Sequence, residues 1–142
     1  MSERALKDRI SALCTEKNVG LVSPDIPLLS NLSVYDNIAL VSRYLTDEKD
    51  EQIQEVIVHQ LDMLQIADAK LKKPFQLDAE TIFKVKLLRA LRLQNSFTII
   101  DRPFVMLNTI ADISPVAKMI EILAEYAGEG AFFDFEWNKS KY

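Results

Sequence analysis

The sequence predicts an α/β domain in which a small, mostly parallel sheet is packed with helices and carries a helical insertion at about residues 33–75. Three observations lead there. Short β-type runs occur at "NVGLV" (18–22), "SFTIID" (96–101) and "AFFDFEW" (131–137). The segments between them hold apolar residues at three- and four-residue spacing, the period of a helix with one buried face. Finally, the 142 residues are 49% hydrophobic and 27% charged with no long like-charge block, which is the composition of a folded chain with one core, read here as a single domain over 1–142.

Each element has a local reason. Residues 3–16 have helical spacing, with Ile10, Leu13 and Cys14 on the apolar side. As the only cysteine, Cys14 has no intrachain disulfide partner and reads as a small buried hydrophobe. The run at 18–22 is a strand, ended by Ser23, Pro24 and Asp25. Next comes the loop "SPDIPLLSNL", with two of the five prolines, and then Ser33 caps a helix running to about Leu45. Asp36 makes a near match to a capping box, and Ile38, Val41 and Leu45 form the expected apolar face.

A second helix is expected from about Asp47 to Ile66, on the stripe Ile53, Val56, Ile57, Leu61 and Leu64. His59 is rotated away from that stripe and is expected to be exposed; with no second histidine and no other cysteine, no metal site is expected. The basic connector "AKLKKPFQL" leads to Asp78, which caps a helix to about Gln94 with Ile82, Val85, Leu88 and Leu91 inward. "SFTIID" is short, β-branched and aromatic, as a buried strand is, and Pro103 stops it. A helix over Pro115–Ala127 turns Val116, Met119, Ile120 and Leu123 to one side, and Gly128 or Gly130 ends it. The last strand is expected to run through "AFFDFEW", alternating Phe133, Phe135 and Trp137 against Asp134 and Glu136.

Charge and segment composition narrow the function classes. The start, "MSERALKDRI", is charged and lacks the apolar stretch of a signal peptide, and no run approaches a membrane span. A cytoplasmic protein is expected. The net charge of −4 argues against generic nucleic-acid binding, although Lys70, Lys72, Lys73, Lys84, Lys86, Arg89 and Arg92 gather seven cations between 70 and 92. These read as solvated helix faces; the alternative is a cationic stretch that binds nucleic acid or anionic lipid.

These elements, in this order, resemble the ATPase subunit of ABC transporters, in degenerate and truncated form. "VGLVSPDIPLLSNLSVYDNIAL" is similar to that family's Q-loop strand, the following loop and the start of its helical subdomain. "KKPFQLDAETIFKVKLLRAL" resembles the signature loop and its helix, and "FTIIDRPFVMLN" resembles the Walker B strand and D-loop. The likeness covers about residues 19–135.

The departures fall where the family's chemistry sits. No Gly-rich phosphate loop is present among only three glycines, and the 18 residues before Val19 leave no room for the family's first strand, loop and helix. The Q-loop glutamine position falls on Pro24. The signature "LSGGQ" falls on Leu77, Asp78, Ala79, Glu80 and Thr81, so two carboxylates stand where the family presents a helix N-terminus to a phosphate. Asp101 keeps the Walker B aspartate, but the catalytic glutamate position is Arg102, whose guanidinium stays protonated and cannot activate water. The D-loop aspartate falls on Asn108, and the switch-histidine position lies near Phe133, with no histidine nearby.

The resemblance thus implies a catalytically inactive chain, without cofactor or metal, acting as a binding, regulatory or accessory subunit. Expected partners are an ABC permease, a complete ABC ATPase subunit, or a second copy of itself covering an unpaired sheet edge; membrane association is expected only through such a partner, at the inner face. The family's permease-facing surface corresponds to Ile26 through Asn37, where Ile26, Leu28, Leu29, Leu32 and Tyr35 supply apolar contacts unless they pack within the domain. The alternative is an active ATPase in which a complete partner supplies the phosphate loop.

Overall fold

Three parallel strands form the sheet: β1 (Val19–Val22), β2 (Phe97–Asp101) and β3 (Gly130–Phe133), in the order β1-β2-β3. Leu21 pairs with Ile99, and Ile99 with Ala131. Among the described residues from Val19 onward, the helices that accompany it are α1 (Val34–Leu45), α2 (Asp50–Met63), α3 (Ala79–Leu91), α4 (Pro103–Met106) and α5 (Ser114–Ile122). This computed structural model describes residues 4, 5, 8, 19–92 and 97–142, so most of the helix expected at 3–16, Cys14 included, lies outside the described residues. The architecture is the expected α/β class, with α1 and α2 forming the helical segment between β1 and α3 and a small parallel sheet compatible with a P-loop NTPase-like domain.

Helix α3 is the axis of the core. It packs against β1 on one side and α1 on the other, so it buries more than the single stripe its spacing suggests. Val85 and Leu88 are buried as expected, but so are Phe83 and Leu87, while Ile82 and Leu91 are only half-buried. Gly20 permits the close approach of β1, since a Cβ there would lie 2.4 Å from the carbonyl oxygen of Ala90. Helix α2 seats Ile53, Ile57, Leu61 and the following Leu64 in the same core, and leaves His59 exposed, 3.6 Å from Glu125.

Several expectations need correction, among them the reading of the cations at 70–92 as solvated helix faces: Lys86 and Arg92 are each only 6% exposed. Of the expected α1 face, Ile38 is buried and Val41 only half-buried, while the Leu45 side chain lies outside the described residues; Val34, Asn37, Ala39 and Ser42 are buried beside Ile38. Ser42 can be buried because its hydroxyl accepts a hydrogen bond from Arg92 Nε at 2.7 Å, and Arg92 also pairs with Glu48.

The last strand stops at Phe133 and does not continue through Trp137. Asp101, its partner in β2, is the last paired residue, and Asp134 then turns the chain by accepting from the Phe135 amide, Asn138 Nδ2 and the Tyr142 hydroxyl at 2.7, 3.0 and 2.8 Å. A 3-10 helix follows at Glu136–Lys141, with Trp137 exposed and stacked on Phe135 at 4.2 Å. Among the described residues, no helix is long and apolar enough to cross a membrane.

Candidate functional site

Parallel strands bring their carboxyl ends to one edge of the sheet, and in open α/β sheets that edge is where ligands are met. Here β1 delivers Ser23 and Asp25 just past its end, and β2 delivers Asp101 and Arg102. All four join in one hydrogen-bonded cluster. The Ser23 hydroxyl donates to Asp101 Oδ2 at 2.7 Å, Arg102 Nε donates to Asp101 Oδ1 at 2.9 Å, and Arg102 Nη2 donates to Asp101 Oδ2 at 2.9 Å. The same Nη2 also reaches Asp25 Oδ2. The guanidinium therefore grips Asp101 as a bidentate fork, which is the strongest arrangement of this ion pair.

The backbone is bent to make that grip possible. Arg102 has φ 48°, in the left-handed region, which turns its side chain back onto the residue before it. Its amide donates to the Phe133 carbonyl at 2.7 Å, which ties the bend to β3. Asp101 is 2% exposed and Arg102 6%, so the pair is nearly dry. Hydrogen bonds to Asp101 raise the guanidinium pKa above its ordinary value against the opposing effect of burial, so Arg102 is a permanent cation.

Beneath the cluster, Lys86 of α3 is also buried and donates to the Ser23 carbonyl at 3.1 Å. Burial first, then the neighbouring Arg89, lower its pKa, while Asp25 acts in the opposite direction. Burial likewise lowers the Arg89 pKa.

The loop after β1 is pinned from two sides. Arg89 donates to the carbonyls of Pro27 and Ile26 at 3.0 and 3.1 Å. Asn37, in the first turn of α1 and 1% exposed, accepts from the Leu29 amide at 2.8 Å and donates to the carbonyls of Leu29, Leu32 and Ser33. This fastening separates the five expected partner contacts. For Leu28 the alternative holds, since it packs within the domain core and is not a surface contact, whereas Ile26 and Leu29 are 41% and 46% exposed. Leu32 and Tyr35 are half-buried, with the Arg43 and Lys70 cations over the Tyr35 ring at 5.8 and 5.4 Å.

At the start of α3, Asp78 is the N-cap, accepting from the Thr81 amide at 2.8 Å, and those hydrogen bonds hold its carboxyl below the ordinary carboxylate value. Glu80 pairs with Lys84 one turn on, at 3.2 Å. Asp78, Ala79 and Glu80 are exposed, and Leu77 and Thr81 half-buried. The partners of Asp78 and Glu80 are on α3 itself and not in the Asp101 cluster. Among the described residues, no group of three or more His, Cys, Asp or Glu side chains is arranged to hold a metal.

Sequence reading assigns several residues of the site other roles: Ser23 and Asp25 only as the end of a strand, Asn37 only as the end of a surface segment, and Lys86 and Arg89 as solvated helix-face cations, whereas Lys86 is buried and Arg89 fastens the loop. The adjacency of parallel strand ends was a usable signal for Ser23 and Asp25. A lysine inside the apolar run Val85 to Leu88 was the signal for Lys86.

No family model matches the chain. Over 113 residues it is 27% identical to a glutamate transport ATP-binding protein, GluA, from Corynebacterium efficiens; the match covers 80% of this chain and 45% of that protein. The chain thus matches less than half the length of this curated relative. That similarity, together with the α/β architecture, supports an ABC-ATPase-like relationship for this chain.

Proposed function

We propose that the chain is a non-catalytic, ABC-ATPase-like protein that acts as a binding or regulatory accessory subunit of an ABC transporter. The observation that carries this reading is the Arg102 clamp. In the ABC-like reading Asp101 is the carboxylate beside magnesium and the next residue is the base that activates water. Here Asp101 Oδ1 is taken by Arg102 Nε, and Oδ2 by both Ser23 and Arg102 Nη2. A magnesium ion at that carboxylate would have to displace a buried guanidinium and then stand beside its positive charge. The residues present therefore do not suit a magnesium nucleotide, and Arg102 supplies no general base.

The carboxylates of Asp78 and Glu80 support the same reading. They suit the positive end of α3 and would repel a phosphate brought to it. What the chain offers a protein partner is the rigid loop after β1, presenting Ile26 and Leu29 beside Leu32 and Tyr35.

The test is co-purification. The tagged chain, recovered from solubilised membranes of its own cells, is expected to bring down an ABC permease or a complete ABC ATPase, and Ile26→Ser with Leu29→Ser is expected to abolish that recovery. Recovery of neither partner from material shown to be folded would contradict the accessory role.

A further inference from the structure

The segment Lys70 to Phe75 combines exposed apolar side chains with exposed cations. Leu71 and Phe75 are 80% and 81% exposed, more than any other large hydrophobic among the described residues. Lys72 and Lys73 stand between them, exposed, with no ion pair to either ammonium among the described residues. Lys70 lies over the Tyr35 ring at 5.4 Å. Scattered single hydrophobics on a surface need no explanation, but two of them framing a run of lysines make a small amphipathic patch.

The display is built into the folded state. The carbonyls of Lys70 and Lys72 accept the Tyr35 and Val34 amides at 3.0 and 2.8 Å, capping the start of α1. With both neighbouring carbonyls engaged on α1, Leu71 between them is held outward. The Lys73 amide donates to Gln76 Oε1 at 3.0 Å, closing the turn that carries Phe75 at Pro74–Gln76.

We propose that this segment is a direct contact for an anionic bilayer surface, in which Leu71 and Phe75 enter the interface and Lys72 and Lys73 meet lipid headgroups. The proposal goes beyond the accessory role and does not depend on it. Charge complementarity selects an anionic partner, and the exposed Leu71 selects hydrocarbon over nucleic acid, since an aliphatic side chain finds no buried environment along a phosphate backbone.

The experiment is co-sedimentation of the full chain with vesicles of phosphatidylcholine alone or with about one third phosphatidylserine, at low and physiological salt. Binding is expected only to the anionic vesicles and weaker at higher salt. Lys72→Glu with Lys73→Glu should weaken it at least about tenfold, given the usual contribution of each lysine at such a surface. Leu71→Ser with Phe75→Ser should also weaken it, with unchanged circular dichroism and melting midpoint because all four side chains are exposed. Failure to bind anionic vesicles overturns the proposal, as does binding that survives either pair of substitutions. Tighter binding to a single-stranded RNA oligomer, indifferent to Leu71→Ser with Phe75→Ser, overturns it in favour of nucleic acid.

Discussion

The carboxyl edge of the sheet and the loop that follows β1 are joined through Ser23 and Asp25, yet they use their polar groups in opposite ways. At the sheet edge the polar groups are turned on one another: Asp101, Arg102 and Ser23 satisfy each other almost without water, and the exposed Asp25 closes the cluster from the solvent side. In the loop, polar groups from the helices fasten the backbone, through Asn37 and Arg89, and the apolar side chains Ile26 and Leu29 are left facing out. A region whose charges are internally spent has little capacity for a charged ligand. One whose backbone is already fixed and whose apolar groups are free has little entropy left to lose on docking a protein.

If that contrast is real, breaking the clamp should hurt most. Asp101→Ala leaves the buried Arg102 with only Asp25 and is expected to cost about 3–5 kcal/mol in urea unfolding, the usual penalty for removing one partner of a buried pair. A cost under about 1 kcal/mol would mean the cluster is hydrated and open. Asn37→Ala tests the other region. It strands the Leu29 amide and removes the Asn37 donor from the Leu32 carbonyl, while the Leu29 carbonyl keeps the Leu32 amide; the expected cost is about 2 kcal/mol, and it should also loosen the loop, seen as faster hydrogen exchange at Leu29. Ser33→Ala removes only the N-cap bond from the Asp36 amide and should cost about 1 kcal/mol; it should leave exchange in the loop nearly unchanged, which separates helix stability from loop fastening.

The smallest expected effect is a pH dependence. The folded-state pKa of Asp78 is lowered from 3.8 by its hydrogen bonds to Thr81. Its stabilising contribution is therefore complete above the unfolded value and is lost as pH falls through the lower folded value. Asp78→Asn, which keeps a capping oxygen, should flatten this acid limb of the stability curve below about pH 4. An unchanged limb would assign it to other carboxylates.

Much of this fold could be read from the chain because its signals are local. Ser33 and Asp78 cap the helices they were expected to cap, and the β-branched and aromatic run at 97–101 is the central strand. Reading failed where a long-range partner overrode a local pattern. The alternation of Phe133, Phe135 and Trp137 looked like a strand, but β2 has no residue left to pair beyond Asp101, and Asp134 finds better partners in a turn. Ser42 was not among the residues expected on the buried face of α1; it is buried there because Arg92, fifty residues on, supplies its hydrogen bond. The same limit applied to the site. Asp101 and Arg102 stood out as adjacent residues, but their binding to each other depends on the left-handed backbone at Arg102, which no propensity marks for an arginine.

If Arg102 holds Asp101 as a structural residue, the purified chain has no magnesium–nucleotide site, and calorimetric titration with magnesium and ATP reads this out. No saturable heat is expected at millimolar nucleotide, with or without magnesium. Magnesium-dependent binding at micromolar affinity would contradict it, and would require the Arg102 clamp to open.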